Sequence, residues 1–199
     1  DQSRDQIVGQ IETSQKAIKN QRGFNGDDAY VKDYLNVMSE YLKAYTDLYD
    51  KAKESSGEGI TTYEQMEVYL KAFEEMEIEI ITADESVMAI EEYFANKHNL
   101  EMIDDGEVAE MYNNLMYLSE YLREIRLIFS RTVFEADNIE KAFSSRDFDA
   151  LPRLRVAFTK ACDFSMSDLV KLGDFDGNDD LYKNTMNLLE EMRKMGEDD

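Results

Sequence analysis

Apolar side chains recur at alternating steps of three and four at Val108, Met111, Leu115, Leu118, Leu122, Ile125, Phe129, Thr132, Ala136, Ile139 and Phe143. An α-helix places such positions on one face, so the stripe predicts a helix over residues 107–144. Rising about 1.5 Å per residue, it would reach about 55 Å. A stripe of that length needs other long helices beside it to leave water.

A second stripe runs through Met66, Tyr69, Phe73, Met76, Ile80, Ala83, Val87, Ile90 and Phe94. Thr61, with Glu64 three residues on, supplies a capping box at its start. The isoleucines of "IEIITADES" at 78–86 are β-branched, but the spacing passes through them unbroken and predicts one continuous helix. Residues 27–54 carry two apolar edges. Tyr30, Tyr34, Val37, Tyr41, Ala44, Leu48 and Ala52 form one, and Leu35, Met38, Leu42, Tyr45 and Tyr49 the other. Such a helix has neighbours on two sides, with Asp27 or Asp28 as its cap and "SSGEG" at 55–59 as its end.

Shorter helices complete the chain. Residues 2–21 turn Ile7, Ile11 and Ile18 inward. Residues 149–172 follow an Asp149 cap, tolerate Pro152 in the first turn and face the interior with Leu154, Phe158, Ala161, Ser165, Leu169 and Leu172. A last helix from about Asp179 to Met195 buries Leu181, Leu188, Met192 and Met195. No strand alternation competes, and no internal repeat stands out. The expectation is an all-α fold: residues 1–199 as a single domain, an elongated antiparallel bundle of three long helices closed by shorter ones.

Charge narrows the partners. With 44 Asp and Glu against 22 Lys and Arg, the net charge is −22. That surface repels phosphate backbones and anionic head groups, which argues against nucleic acid and suits cationic partners or divalent ions. The single cysteine, Cys162, permits no internal disulfide, and no apolar run approaches the length of a membrane span. The chain begins at Asp1 without an initiator Met, a start that leader removal or a chosen boundary would each produce.

Little of the sequence reads as chemistry. In "LGDFDGNDDLYKN", Asp174, Asp176 and Asn178 are oxygen ligands spaced like the start of a calcium loop. Yet Gly177 falls at the fourth loop position and Thr185 where the bidentate Glu belongs. The alternative reading is a turn ended by Gly173 and capped by Asn178 or Asp179. His98 is the only histidine, which excludes a di-iron or multi-histidine zinc site within one chain and suits a helix C-terminus. Cys162 reads as a small buried hydrophobe. Paired carboxylates are frequent, but nothing marks a pair as buried, so no catalytic residue is assigned. Arginines concentrate between 123 and 155. They either pair with acids on adjacent helices or form an anion-binding patch of Arg123, Arg126, Arg153 and Arg155.

The segment "AIEEYFANKHNLEMIDDGEVAEMYNNLMYLSEYL", 89–122, holds an aromatic pair (Tyr93 and Phe94), then Lys97, then the acids Asp104 and Asp105, then a long helix. It resembles a segment of the YiiG-like family of bacterial lipoproteins, and the tyrosine-rich "DAYVKDYLNVMSEYL" at 28–42 resembles the N-terminal part of that family. The resemblance covers about half the chain. It implies an all-helical, exported, lipid-anchored protein of the periplasm or outer cell envelope, whose lipobox cysteine would precede Asp1. It supplies no catalytic residues and no cofactor. The function expected is non-enzymatic: a binding or structural module with an unknown protein or small-molecule partner. The alternative is a calcium-responsive module using the acidic loop at 174–180.

Overall fold

The computed structural model describes residues 2–57, 59–102 and 106–197, without the side chains of 107–109. The protein is all-α. Its helices are α1 (Gln2–Lys19), α2 (Ala29–Lys43), α3 (Tyr49–Ser55), α4 (Tyr63–His98), α5 (Gly106–Ser145), α6 (Leu151–Leu172) and α7 (Asp180–Glu197). A π-helical stretch, Ala44–Leu48, joins α2 to α3 without a break, and a 3₁₀ turn, Phe148–Ala150, precedes α6. The chain divides into two compact units, Asp1–Glu58 with Val68–Asp105, and Gly59–Glu67 with Gly106–Asp199.

In the first unit the two-edged helix has the two neighbours that its pattern requires. Val37, Ala44 and Ala52 are buried, while Tyr30, Tyr34, Tyr41 and Leu48 are half-buried beside them. α1 packs on α2 and the π stretch and contributes no fully buried residue of its own. α4 meets the other side through rings, with Tyr30 and Phe94 centroids 4.5 Å apart and Tyr49 and Phe73 5.9 Å apart. The tyrosines' polar tips stay within reach of partners: the Tyr41 hydroxyl donates to Asp84. Lys43–Glu79 at 3.2 Å and Lys51–Glu75 at 2.7 Å add exposed ion pairs, which contribute little beside the rings.

The second unit is built on larger side chains that are fully buried, Tyr121 and Phe158 among them. Tyr121, Ile125 and Ile128 of α5, Leu169 of α6 and Leu189 of α7 form one buried cluster. Leu169 and Leu189 are wholly enclosed, and burying such a side chain is worth about 1.5–3 kcal/mol. Thr132 donates to the Ser165 hydroxyl at 3.1 Å, and Ser165 donates to the Ile128 carbonyl at 2.8 Å, so the polar atoms between α5 and α6 are satisfied. A Cβ added at Gly196 would stand 2.9 Å from both Phe158 and Thr159. Glycine there lets the end of α7 lie close on α6.

Every position of the predicted α4 stripe is buried or half-buried, and the helix runs unbroken through 78–86. Elsewhere the structure corrects the sequence reading. The capping box is Thr62 with Gln65: the Gln65 amide donates to Thr62 Oγ1 at 3.2 Å, and Gln65 Oε1 accepts from the Thr62 amide at 3.2 Å. Asp149 lies within the 3₁₀ turn, and α6 starts without a side-chain cap. On α5 the stripe is continuously buried or half-buried only from Ile125 to Ile139: Met111, Leu115 and Leu122 before it and Phe143 after it are exposed, and the Val108 side chain lies outside the described residues. On α7 the inward face is Tyr182, Thr185, Met186, Leu189 and Gly196; of the expected positions Met192 is half-buried, and Leu181, Leu188 and Met195 are exposed. That face joins the apolar contacts of Leu189, Tyr182 and Met186 to the close approach that Gly196 permits on α6.

Candidate functional site

Two turns, one in each unit, are built alike. In Phe24-Asn25-Gly26-Asp27 the central residues have φ of 50° and 80°, and in Phe175-Asp176-Gly177-Asn178 they again have φ of 50° and 80°. Positive φ at both central positions defines a type I′ turn, which Asn or Asp followed by Gly accommodates with least strain. Each turn closes as a two-residue bridge, Phe24 with Asp27 and Phe175 with Asn178. The residue that closes it then starts a helix. Asp27 Oδ1 accepts from the Ala29 amide at 3.1 Å, and Asn178 Oδ1 accepts from the Asp180 amide at 3.1 Å. One residue on, Asp28 pairs with Lys32 at 3.1 Å and Asp179 with Lys183 at 2.5 Å.

The segments FNGDDAYVK (24–32) and FDGNDDLYK (175–183) are therefore one local structure occurring twice. Each joins two helices packed on each other, α1 with α2 and α6 with α7. The repeat went unread in the sequence because Asn and Asp exchange places within it. Its signal is Phe, Gly, Asp and Lys at constant spacing.

A third helix covers the phenylalanine of each turn. Phe24 stands edge-on to Phe94 at 5.7 Å and to His98 at 5.0 Å, both on α4. Phe175 stands 5.3 Å from Tyr121 of α5. A cleft opens beside each. The first, about 430 Å³, is lined by residues including Phe24, Asp27, Tyr30, Tyr34 and Phe94. The second, about 780 Å³, has Tyr117, Tyr121, Leu172 and Phe175 as walls, with Glu120, Glu124 and Asp176 among its lining. Tyr121 is pinned there, because its hydroxyl donates to the Gly173 carbonyl at 2.8 Å. Burial foremost, then the charge of Asp174, raises its phenol above the ordinary value.

The acid that closes the first turn has internal partners. Asp27 Oδ2 lies 2.5 Å from Lys97 Nζ and 3.0 Å from His98 Nε2. The Lys97 ammonium, the Ala29 amide and the His98 ring together hold its carboxyl far below the usual carboxylate range. The same carboxylate raises the Lys97 ammonium. His98 thus sits at a helix end, as expected, with an acid and two phenylalanine rings around it.

The other sequence candidates are dispersed or committed. Asp174 Oδ1 accepts from the Gly177 amide at 3.0 Å, so Asp174 and Asn178 both serve the turn, while Asp176 faces the second cleft. Among the described residues no group of three or more His, Cys, Asp and Glu is placed to hold a metal ion. The α5–α6 register pairs Tyr121 with Gly173 and Thr132 with Ser165. That register sets Arg123 and Arg126 toward the end of α6, whereas Arg153 and Arg155 stand at its start, roughly 25 Å away along the helix. Arg155 donates to the Gly196 carbonyl at 3.2 Å, and Arg131 pairs with Asp168 at 2.9 Å. Cys162 is buried, which pushes its thiol up. Of the residues carrying the family resemblance, Phe94 and Lys97 meet Phe24 and Asp27, Tyr93 lies 5.8 Å from the Lys97 ammonium, and Asp104 and Asp105 fall outside the described residues.

Fold and site together define an all-α protein with a duplicated αα-hairpin and an aromatic cleft at each copy. No family model, curated protein or solved structure matches the chain. Among the described residues no helix is long and apolar enough to cross a membrane.

Proposed function

We propose that the protein is a non-enzymatic binding module of the bacterial cell envelope, extracytoplasmic and held by a lipid anchor upstream of Asp1. The observation that carries the binding role is the recurrence of an aromatic cleft at both copies of the turn. Concave sites with apolar walls and a few convergent polar groups are where ligands settle. Envelope placement rests on the resemblance of 28–42 and 89–122 to the YiiG-like lipoproteins. A surface of net charge −22 favours a protein or small-molecule partner over nucleic acid. The reading includes a single-domain, elongated antiparallel bundle led by three long helices. The calcium-responsive alternative is not carried forward, because among the described residues no group of three or more His, Cys, Asp and Glu is placed to hold a metal ion.

Fractionation of the source cells, with an antibody to this chain, tests the reading. The protein is expected in the envelope fraction, solubilised by detergent but retained through a carbonate wash. Recovery in the cytoplasmic fraction alone overturns it.

A further inference from the structure

We infer that the second unit's cleft is a site for an organic ammonium ion carried on an aromatic body. The inference rests on the binding-module reading and names the ligand class of one of its two clefts. Glu120 and Glu124 stand one turn apart on α5, on the face that Asn114, Tyr117 and Tyr121 continue. Asp176 brings a third carboxylate from the turn. Among the described lining residues there is no lysine or arginine, so the cleft is one-signed. Its walls are the rings of Tyr117, Tyr121 and Phe175, whose faces attract cations, together with Leu172. A volume of about 780 Å³ suits a ligand larger than a bare ion. The hydrogen bond from Tyr121 to Gly173 and its contact with Phe175 fix part of the wall beforehand, which lowers the ordering cost of binding.

The other copy of the turn contains such an ion already. There the Lys97 ammonium sits 2.5 Å from Asp27 and 5.8 Å from the Tyr93 ring. The first unit thus meets its acid-and-aromatic turn with an ammonium of its own. In the second, Asn178 replaces Asp27, the carboxylates move to α5 and the turn's centre, and the ammonium comes from outside. A free amine and a lysine side chain present the same group.

The test is amide NMR of the ¹⁵N-labelled full chain with three probes: 2-phenylethylamine, the neutral 2-phenylethanol, and the peptide acetyl-Phe-Lys-amide. Saturable shifts confined to 114–124 and 172–177 are expected with the amine, at an affinity about ten-fold above the alcohol's. Glu120→Gln with Glu124→Gln, both exposed positions, is expected to bring the amine down to the alcohol's level. Phe175→Leu is expected to weaken both. Binding by the peptide alone points to a basic polypeptide, and binding by the amine alone to a small molecule; each supports the ammonium site. Equal affinity of amine and alcohol overturns the ammonium preference yet leaves a binding cleft. Unsaturable shifts spread over the acidic surface overturn the site itself, while cell fractionation tests envelope placement independently of both.

Discussion

In the first unit Phe24 rests on Phe94 and His98, and the helices around it meet through half-buried tyrosine and phenylalanine rings. In the second, Phe175 rests on Tyr121 above a cluster whose leucines are wholly enclosed. The turn itself is nonetheless the same in backbone angles, bridge, Asx contact and i,i+4 ion pair. Its geometry is thus specified locally, by the turn and the hydrogen bonds within and beside it, while the packing around it is free to change. That freedom is what leaves the two clefts chemically distinct.

The contrast between the cores is broken most sharply at Met38 and Leu189, which stand at the same distance along the chain from Phe24 and Phe175. Leu189 is fully enclosed, and its replacement by Ala is expected to cost about 3 kcal/mol, transfer and cavity together. Met38 is half-buried, and Met38→Ala is expected to cost about 1 kcal/mol, because its site already reaches solvent. Urea unfolding followed by circular dichroism measures both. Equal losses would mean that the units are packed alike.

The sameness of the turns is sharpened by Gly26→Ala and Gly177→Ala. Both glycines have φ of 80°, and an added Cβ meets nothing within 4 Å at either. The cost is therefore one of backbone conformation alone, about 1–2 kcal/mol in each case. Thermal unfolding should show matched losses, and a two-fold disparity would mean that the copies are not one motif.

How far the sequence could be read follows from what its periodicity records. α4 buries large apolar side chains along its whole length, so counting them located both the helix and its face. The two edges of α2 were legible for the same reason. On α7 the buried face mixes Leu189, Tyr182 and Met186 with Thr185 and Gly196, and a count of hydrophobic positions passes over the last two. On α5 the heptad-like spacing runs past the buried middle at both ends, where Met111, Leu115 and Phe143 are exposed, since spacing reports an available face and not an occupied one. The site was the least legible part. The loop at 174–180 was visible, but its meaning came from the partner turn at 24–27, disguised by the Asn–Asp exchange. The cleft's Glu120 and Glu124 are two acids among 44 until α5 is set beside the turn.

The charge at the closing position separates the copies, and here the expected effects are smaller than those of the glycines. Asp27→Asn keeps the acceptor for the Ala29 amide and removes the negative partner of Lys97 and His98. Because the folded carboxyl is depressed, its contribution is complete above the unfolded carboxylate value of about 4, shrinks as pH falls below that, and is lost once the folded group is protonated. The parent should therefore melt higher than Asp27→Asn at pH 7, and the difference should narrow as pH is lowered from about 4. A constant difference across that range would mean that the Lys97 contact gives no charge-dependent stability.

The reciprocal change, Asn178→Asp, gives the smallest effect. The new carboxylate would keep the bond to the Asp180 amide. It would also stand among Asp174, Asp176 and Asp179, and the nearby Lys183 is already paired with Asp179. At pH 7 and low salt a slight loss of melting temperature is expected, and about 1 M salt should erase it, since exposed like charges are screened over a few ångströms there. A gain in stability would require a cation at the second turn equivalent to Lys97. That cation would compete for the ground on which the ammonium site is argued, so this substitution tests the electrostatic difference between the two copies in the absence of any ligand.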